Sequence, residues 1–307
     1  MAKDIDDEEI PFLCMASLNG TSTLWFLVVS NMFLAISSTL GNTVILAALS
    51  KDTSLHLPSK ILLRSLALTD LSVGLFVEPL FVTFLISLEK ESENICSQVI
   101  VISVFIDICF SLLSLLTLTA TSVDRLLALL LGIRYRQVVT FTFKRVLLTV
   151  ISFWILCVTF SVTSFWTHKF LKYYIFISVM LCVVISTCCY IKIYRKLFHH
   201  QAQIQEHLHQ GQQNGHAPLN IARYRKTVSS ALWVQLTLIT CYLPAGVVTT
   251  LITVQGMTAV LFVAWTFSLT LVFLNSTLNP ILYCWKIKNV RRAVVEIVRQ
   301  IYFCSSS

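Results

Sequence analysis

Acidic side chains interrupt several otherwise apolar stretches of the chain. Three of them, Asp70, Glu78 and Asp107, stand alone, and a fourth forms the acid–base pair Asp124-Arg125. A charge at the centre of a bilayer costs about 2.5–3.5 kcal/mol on insertion scales, so such residues bind ions or ligands or pair with one another. No pair of catalytic aspartates with a protease motif and no His-Glu-x-x-His spacing accompanies them. We therefore predict binding and switching chemistry, with no catalytic residue and no enzyme.

The composition is that of a chain dissolved in a membrane. Of its 307 residues 56% are apolar and only 12% are charged, and the mean hydropathy is +0.78. A soluble domain has about 25% charged residues. The net charge of +8 does not indicate nucleic-acid binding, because the basic residues are gathered on one side of the predicted spans.

Seven segments are long and apolar enough to cross a bilayer, which needs about 20 residues per helix. The uncharged run 227–285 is too long for one span, and the polar stretch "TVQGMT" (253–258) divides it. The predicted fold is all-α, a seven-transmembrane helix bundle (24–285) after an N-terminal tail (1–23). The predicted spans are 24–50, 59–88, 95–130, 144–167, 172–198, 223–253 and 259–285.

The distribution of Lys and Arg predicts the orientation. One set of loops contains only Lys3, Lys90, Lys169 and Lys172, and the other 19 of the 23 basic residues lie on the opposite side. The positive-inside rule then places the N-terminus outside and the C-terminus in the cytoplasm of a plasma-membrane protein. The basic side faces anionic membrane lipid and a cytosolic partner.

The third span carries its polar residues on one face. Asp107 and Arg125 are 18 residues apart, five helical turns or about 27 Å. This face joins an outward-facing acid to an inward-facing base, an arrangement suited to carrying a signal across. Its members are Asp107, Ser111, Ser114, Leu118, Thr121 and Arg125.

One marker residue or motif in each span makes the chain resemble the rhodopsin-like (class A) G-protein-coupled receptors over nearly its full length. The markers are Gly41-Asn42, "LALTDL" with Asp70, Asp124-Arg125, Trp154, Tyr190, Pro244 and "NPILY" at 279–283. The resemblance implies an extracellular ligand and a heterotrimeric G protein as partners.

The resemblance also implies a switch at the inner ends of the helices. Arg125 is expected to be held by Asp124 at rest and released to engage the G protein, with Tyr190 and Tyr283 supporting the open state. Asn279 and Pro280 belong to the same set. Leu126 replaces the usual tyrosine after the Asp-Arg pair, and Tyr242 replaces the usual tryptophan of the sixth span.

Four residues match the family's pocket for an allosteric sodium ion, the only cofactor we predict. They are Asp70, Ser114, Asn275 and Ser276. A carboxylate at mid-membrane needs a cation or hydrogen-bond donors, and serine and asparagine supply coordinating oxygens. The alternative is a protonated, hydrogen-bonded Asp70.

The predicted ligand-binding residues are Asp107, Glu78, Ser111, Tyr242 and Phe273. Asp107 matches the position at which amine receptors bind an ammonium group, so we expect a cationic amine or a basic peptide. The short second outer segment, 168–172, has no cysteine, which resembles the melanocortin and lipid receptor branch and leaves a lipid or nucleoside-like ligand as the alternative. We do not expect a retinal protein, since the seventh span has no lysine for a Schiff base.

A transporter for ions or solutes is the alternative from a different class, because it would also place acids in the membrane. Such a transporter would not need the Asp124-Arg125 and "NPILY" motifs at the inner ends.

The remaining predictions concern the ends and loops of the chain. Cys14 and Cys96 are the only cysteines on the oxidising side, and they either pair or stay as thiols. Asn19 begins a glycosylation sequon. The segment 286–307 is predicted to contain an amphipathic helix on the inner leaflet, with Cys304 as either a palmitoylation site or a free thiol. Residues 199–222 read as a flexible linker.

Overall fold

The computed structural model describes residues 14, 21–51, 57–90, 93–131, 133–163, 168–209, 217–286 and 288–305. All of its regular structure is helical in these ranges. The helices are α1 (Thr21–Lys51), α2 (Leu57–Ser72, a π turn Val73–Val77, and Glu78–Glu89), α3 (Glu93–Leu131), α4 (Ile133–Thr163), α5 (His168–His209), α6 (Ala217–Gln255), α7 (Ala259–Lys286) and α8 (Lys288–Ser305). The bundle end at which α1 begins is called the outer end below, and the opposite end the inner end.

Helices α1 to α7 each contain a stretch long and apolar enough to cross a membrane, and the predicted all-α seven-helix fold is confirmed. Many large apolar side chains point away from the bundle, including Phe33 at 67% and Val254 at 72% exposure. A soluble bundle would bury such residues, whereas lipid tails solvate them. A bilayer offers the backbone no water, so each span must satisfy its own N–H and C=O groups as a helix.

Buried hydroxyls in the spans are satisfied within their own helix. Thr117 donates to the carbonyl of Leu113 at 2.8 Å, and Ser122 donates to that of Leu118 at 2.9 Å. This back-bonding lets a membrane helix carry serine and threonine without leaving an unpaired donor.

Helix α2 changes its winding in the middle. The backbone N–H of Glu78 donates to the carbonyl of Val73, which closes the wider ring of a π turn, and Pro79 follows directly. Gly74 lies in this turn because α1 passes very close to it: a Cβ atom at Gly74 would stand 3.0 Å from the carbonyl oxygen of Ala35 and 2.8 Å from Oγ1 of Thr39.

Two apolar clusters fill the bundle above and below a polar layer. The outer cluster joins α1, α2, α3 and α7 through residues such as Leu27, Phe84 and Phe262. The inner cluster includes Leu115 and Tyr283 and extends to α8. Without a hydrophobic driving force in lipid, close packing of this kind holds the helices together.

The turn between α6 and α7 lies within the predicted break. Helix α6 ends at Gln255, and Gly256 follows with φ +80°, a left-handed conformation that glycine adopts without strain. The N–H of Gly256 donates to the carbonyl of Ile252 at 2.9 Å.

Two segments that we predicted as loops are largely helical. Residues 168–172 form the start of α5, which begins at His168, so they are not a loop. The predicted linker 199–222 is helical up to His209 and again from Ala217, with 210–216 outside the described residues. Both errors arose because we ended helices where apolar character ended, although helices extend beyond the apolar core of a membrane.

Helix α8 has one face on the bundle and one face turned away from it. Val290 and Ile297 are buried in the inner cluster, and Arg291, Arg292 and Arg299 are exposed. Lys51 at the end of α1 donates to Oε1 of Gln300 at 2.8 Å. This pattern agrees with the predicted amphipathic helix.

Candidate functional site

Asp70 is the centre of the polar layer. It is fully buried, and its carboxylate accepts hydrogen bonds from Ser114 at 3.2 Å, Ser276 at 3.0 Å and Asn279 at 2.8 Å. These donors come from α3 and α7, so one side chain of α2 connects three helices. Hydrogen bonds to a charged group are stronger than those between neutral groups, which makes Asp70 a structural anchor as well as a binding group.

Helix α1 completes this layer through the backbone. Ser38 donates to the carbonyl oxygen of Asp70 at 2.9 Å, and Asn42 donates to the carbonyl oxygen of Ser276 at 3.1 Å. Gly41 allows the close approach of α7, since a Cβ atom there would lie 3.1 Å from the ring of Pro280. The Gly-Asn and Asn-Pro motifs of the sequence therefore meet across the helix interface.

The structure brings together three of the four residues predicted to hold sodium, namely Asp70, Ser114 and Ser276. Asn275 is buried nearby on α7, but its Nδ2 has no hydrogen-bond partner. Asn279 takes the fourth place, although we had assigned it to the switch. One carboxylate with neutral hydroxyl and amide oxygens fits a hard monovalent cation. The described residues contain no group of three or more His, Cys, Asp or Glu side chains that would indicate a metal site of higher charge.

Asp107 stands in the outer half of α3 with its side chain partly exposed. Ser111, one turn further along the same helix, donates to Oδ1 of Asp107 at 2.8 Å. This bond fixes the carboxylate on the face that also carries Ser114, seven residues further along the chain. Asp107 is thus a partly exposed carboxyl group with a fixed orientation in the outer half of α3.

Glu78 differs sharply from Asp107. Its side chain is 0% exposed, and neither of its carboxylate oxygens has a hydrogen-bond partner. Phe81 and Phe273 lie close by in the same cluster and pack edge to face with ring centroids 5.4 Å apart. A buried carboxylate without a partner is costly, so its charge has to be removed by a proton or balanced by a cation.

Two of the predicted ligand-binding residues are part of the packed core. Phe273 is 1% exposed and belongs to the outer cluster, and Tyr242 is 5% exposed and belongs to the inner cluster with Leu115 and Val272. Neither presents a free surface in this conformation, so Asp107 and Ser111 are the accessible members of the predicted set.

Further aromatic side chains build the walls of the outer half. Phe84 contacts both Phe262 and Trp265 with ring centroids 6.5 Å away, and Phe110 meets Trp154 edge to face at 6.1 Å. No local sequence pattern predicts this cluster, because its contacts join residues far apart in the chain.

At the inner end, the Asp-Arg pair of α3 has a partner that the sequence did not reveal. Ser59, at the start of α2, donates to Oδ2 of Asp124 at 2.7 Å. Asp124 is buried and Arg125 is half-buried. A bond from α2 to the carboxylate holds α3 in place at the position where the switch was predicted.

The two tyrosines of the predicted switch are buried in different clusters. Tyr190 packs with Leu126 and Ile193, so Leu126 occupies an apolar contact. Tyr283 belongs to the inner cluster and lies on α7 one turn from Asn279.

Cys14 and Cys96 form a disulfide with their Cα atoms 5.9 Å apart, which ties the segment before α1 to the start of α3. Nearby, Trp25 donates to Oε1 of Glu89 at 3.2 Å, so the outer ends of α1 and α2 are also joined. The predicted glycosylation site Asn19 lies outside the described residues, and so does the side chain of Cys304.

Comparison with known proteins decides the family. The model of the seven-transmembrane receptors of the rhodopsin family matches residues 41–169 and 160–283. The chain belongs to the rhodopsin family. It is a receptor and not an enzyme, and the family implies an extracellular ligand and a G protein as its general partners.

One relative in this family is similar to the chain from end to end. Adenosine receptor A3 of Ovis aries is 22% identical over 317 aligned residues, which cover 94% of this chain and 96% of the relative. Both lines of similarity describe a multi-pass membrane receptor, so they do not favour the ion or solute transporter that we considered from the sequence.

Proposed function

We propose that the protein is a plasma-membrane receptor that binds an extracellular cationic ligand, an amine or a basic peptide, and activates a heterotrimeric G protein. The observation that carries the choice of ligand is Asp107, a partly exposed carboxylate oriented by Ser111 at 2.8 Å. In a low-dielectric pocket a carboxylate attracts an ammonium or guanidinium group strongly.

The charge balance of the spans supports the same choice. The uncharged stretches 24–50 and 227–285 contribute no basic residue, and 95–123 contains only Asp107. Helix α2 adds Asp70 and Glu78, and its two basic residues, Lys60 and Arg64, lie in its inner part, where Arg64 donates to the carbonyl of Leu49. The outer half of the bundle is thus acidic, and it attracts cations.

The orientation of the chain in the membrane is also part of the proposal. With 19 of 23 basic residues on one side of the spans, the positive-inside rule places the N-terminus outside. Asp107 then faces the extracellular medium, and the pair Asp124-Arg125 faces the cytosol. Asn19 would be accessible to glycosylation on the same outer side.

Sodium is proposed as an allosteric ion at Asp70. Asp70, Ser114 and Ser276 would hold it, with the amide groups of Asn275 and Asn279 beside them. The fit rests on one buried carboxylate surrounded by neutral oxygen donors. A bound cation supplies positive charge to a carboxylate that otherwise holds three helices together by hydrogen bonds alone.

A nucleoside-like ligand is the second candidate, and a lipid the third. The similarity to a receptor named for adenosine favours the nucleoside, and the aromatic walls around Phe84 and Trp265 would suit a planar base or an acyl chain. A neutral ligand of either kind would not depend on the charge of Asp107.

The ligand class is tested by agonist-stimulated uptake of a GTP analogue in membranes that contain the parent or Asp107→Asn with a panel of G proteins. Amines, basic peptides, nucleosides and lipids are screened in parallel. We expect a cationic compound to stimulate the parent and to lose potency at least ten-fold in the variant. A ten-fold loss corresponds to about 1.4 kcal/mol of binding free energy.

The matched control is Ser111→Ala, which leaves the carboxylate but removes its hydrogen bond. We expect this variant to lose less agonist potency than Asp107→Asn. Equal potency of a nucleoside or lipid in the parent and in Asp107→Asn, with no active cation, would reject the cationic ligand. G-protein activation would still stand in that case.

A further inference from the structure

We propose a second cation site, one layer outside Asp70, in which the carboxylate of Glu78 and the amide oxygen of Asn31 bind a monovalent cation the size of sodium between α1 and α2. The site does not depend on which ligand Asp107 binds. It is also separate from the proposed sodium pocket, because Glu78 lies eight residues from Asp70 along α2, about 12 Å in a regular helix.

The contact at Gly74 shows that α1 and α2 bring these two side chains to one level. A Cβ atom at Gly74 would stand only 3.0 Å from the carbonyl oxygen of Ala35, so the two helices approach closely at this point. Asn31 lies one turn from Ala35 towards the outer end, and Glu78 lies one turn from Gly74 in the same direction. Both therefore stand about 6 Å above the same contact.

The contacts of α1 and α7 with Asp70 also give the height of Asn31 in the bundle. Ser38 bonds to Asp70, and Asn31 is seven residues, or two turns, above Ser38. Ser276 also bonds to Asp70, and Thr270 is six residues above it on α7. Asn31 Nδ2 donates to Oγ1 of Thr270 at 3.0 Å, so α1 and α7 place these two residues at the same height above Asp70.

The π turn brings Glu78 onto the face that carries Asp70. Eight residues of regular α-helix turn through about 800°, which would leave Glu78 about 80° away from the direction of Asp70. The bond from Glu78 N–H to Val73 O accommodates one extra residue, so the rotation approaches the roughly 700° of seven residues. Asp70 and Glu78 are accordingly both 0% exposed.

Both residues interrupt the apolar stripes by which the helices pack. Asn31 falls between Leu27 and Leu34 on α1, and Glu78 falls between Val77 and Phe81 on α2, and these four apolar residues share one buried cluster. The polar groups therefore point into the same interface.

Three oxygens in this layer have no donor. Glu78 Oε1, Glu78 Oε2 and Asn31 Oδ1 are buried without a hydrogen-bond partner. The amide nitrogen of Asn31 is already used by Leu27 and Thr270, which directs its oxygen the other way. Oxygen atoms that only accept, next to a formal negative charge, call for a positively charged ligand.

The segments of α1, α2, α3 and α7 that surround this layer offer no basic side chain to supply that charge. The spans of α1 (24–50), the outer half of α2, α3 from 95 to 123, and α7 from 259 to 285 contain no Lys, Arg or His, and they carry Asp70, Glu78 and Asp107. Above the Asp70 layer these four segments hold two acids, Glu78 and Asp107, and no base, so ions or protons must balance the two charges.

The ligand that the site can bind is determined by the oxygen atoms it offers and by the side chains that surround them. One carboxylate with one amide oxygen suits a monovalent hard cation, whereas calcium takes six to eight oxygens from several carboxylates. Phe81 and Phe273 are 3% and 1% exposed and close the site to a bulky organic cation. Water would complete the coordination.

The test measures the thermal melting temperature of the purified full chain in nanodiscs. NaCl is varied against N-methyl-D-glucamine chloride at constant ionic strength. The variants are Asp70→Asn, Glu78→Gln and the double variant, and Glu89→Gln is the matched control, since it is an exposed acid on the same helix. Binding to the folded state raises the melting temperature with concentration.

We expect the melting temperature of Asp70→Asn still to rise with sodium, by about 2 °C or more. A shift of this size is expected when the sodium concentration is well above the dissociation constant of the site. The double variant should lose that rise, and Glu89→Gln should behave as the parent. Asn31→Asp in the Asp70→Asn background should add a response to calcium, because it supplies a second carboxylate.

Loss of all sodium dependence in Asp70→Asn alone would overturn the proposal, and this outcome does not require Glu78→Gln to fold. So would a double variant as sodium-dependent as Asp70→Asn. A melting temperature of Asp70→Asn that varies with pH but not with sodium would show that Glu78 binds only a proton, which would also overturn it.

Discussion

Asn275 and Asn279 lie four residues apart on α7 and are both buried, but their amide groups are used differently. Nδ2 of Asn279 donates to Asp70 at 2.8 Å, whereas Nδ2 of Asn275 has no partner. A hydrogen bond to a charged group contributes about 1.5–3 kcal/mol to stability, whereas a buried N–H group without a partner lowers stability.

We therefore expect Asn279→Ala to lower the melting temperature of the purified receptor clearly more than Asn275→Ala. The two variants remove the same atoms from neighbouring turns of one helix, so each serves as the control for the other. A larger loss in Asn275→Ala would contradict the assignment of Asn279 to the Asp70 layer.

The partners of Asp70 show what sequence reasoning achieves at the scale of single residues. Ser114 and Ser276 could be predicted from their positions in recognised motifs. Asn279 was missed as a partner, although its spacing of three residues from Ser276 places both on one helix face. Ser59 and Asn31 could not be found, because their contacts join different helices and no local pattern encodes that register.

At the scale of elements, the π turn of α2 determines which side chains face the bundle. A Cβ atom at Gly74 would stand 2.8–3.0 Å from atoms of α1, so any side chain there must push the two helices apart. Gly246 on α6 is not crowded by a neighbouring helix, because nothing lies within 4 Å of an added Cβ atom.

Gly74→Val should destabilise the receptor by several degrees of melting temperature, since overpacking typically costs about 1–3 kcal/mol. Gly246→Ala should be neutral or slightly stabilising, because alanine favours helix by about 1 kcal/mol over glycine. Equal melting temperatures of Gly74→Val and the parent would show that α1 and α2 do not approach closely at the π turn.

The helices themselves were largely predictable, because a bilayer permits few alternatives to an apolar helix of about 20 residues. Their ends were less predictable. Helix α5 begins within the predicted outer loop and runs on to His209, since the water-exposed ends of a helix need no apolar residues. The π turn has no unambiguous local signal, and Gly74 and Pro79 reveal its position only once α1 is in place.

At the scale of the whole molecule, the structure is an acidic outer half joined to a basic inner surface through the Asp70 layer. The disulfide between Cys14 and Cys96 closes a loop of 82 residues at the outer end. At the inner end, Ser59 and Asp124 connect α2 to α3. Under the proposed function, a signal that passes from Asp107 to Arg125 has to alter the contacts of α3 with α2 and α7.

The measurement that tests this account most directly needs no ligand. Basal uptake of a GTP analogue would be compared, with a panel of G proteins, in membranes containing the parent, Asp124→Asn, Ser59→Ala and Arg125→Ala at equal receptor density. Ser50→Ala is the control for the loss of a serine hydroxyl at the inner end, since Ser50 is exposed and donates within its own helix to the carbonyl of Ala47.

We expect Asp124→Asn to raise basal uptake several-fold and Ser59→Ala to raise it less, because each weakens the contact at Asp124. Arg125→Ala should abolish uptake, because it removes the group proposed to engage the G protein. Equal uptake in the parent and all three variants, with every G protein, would contradict the proposed switch.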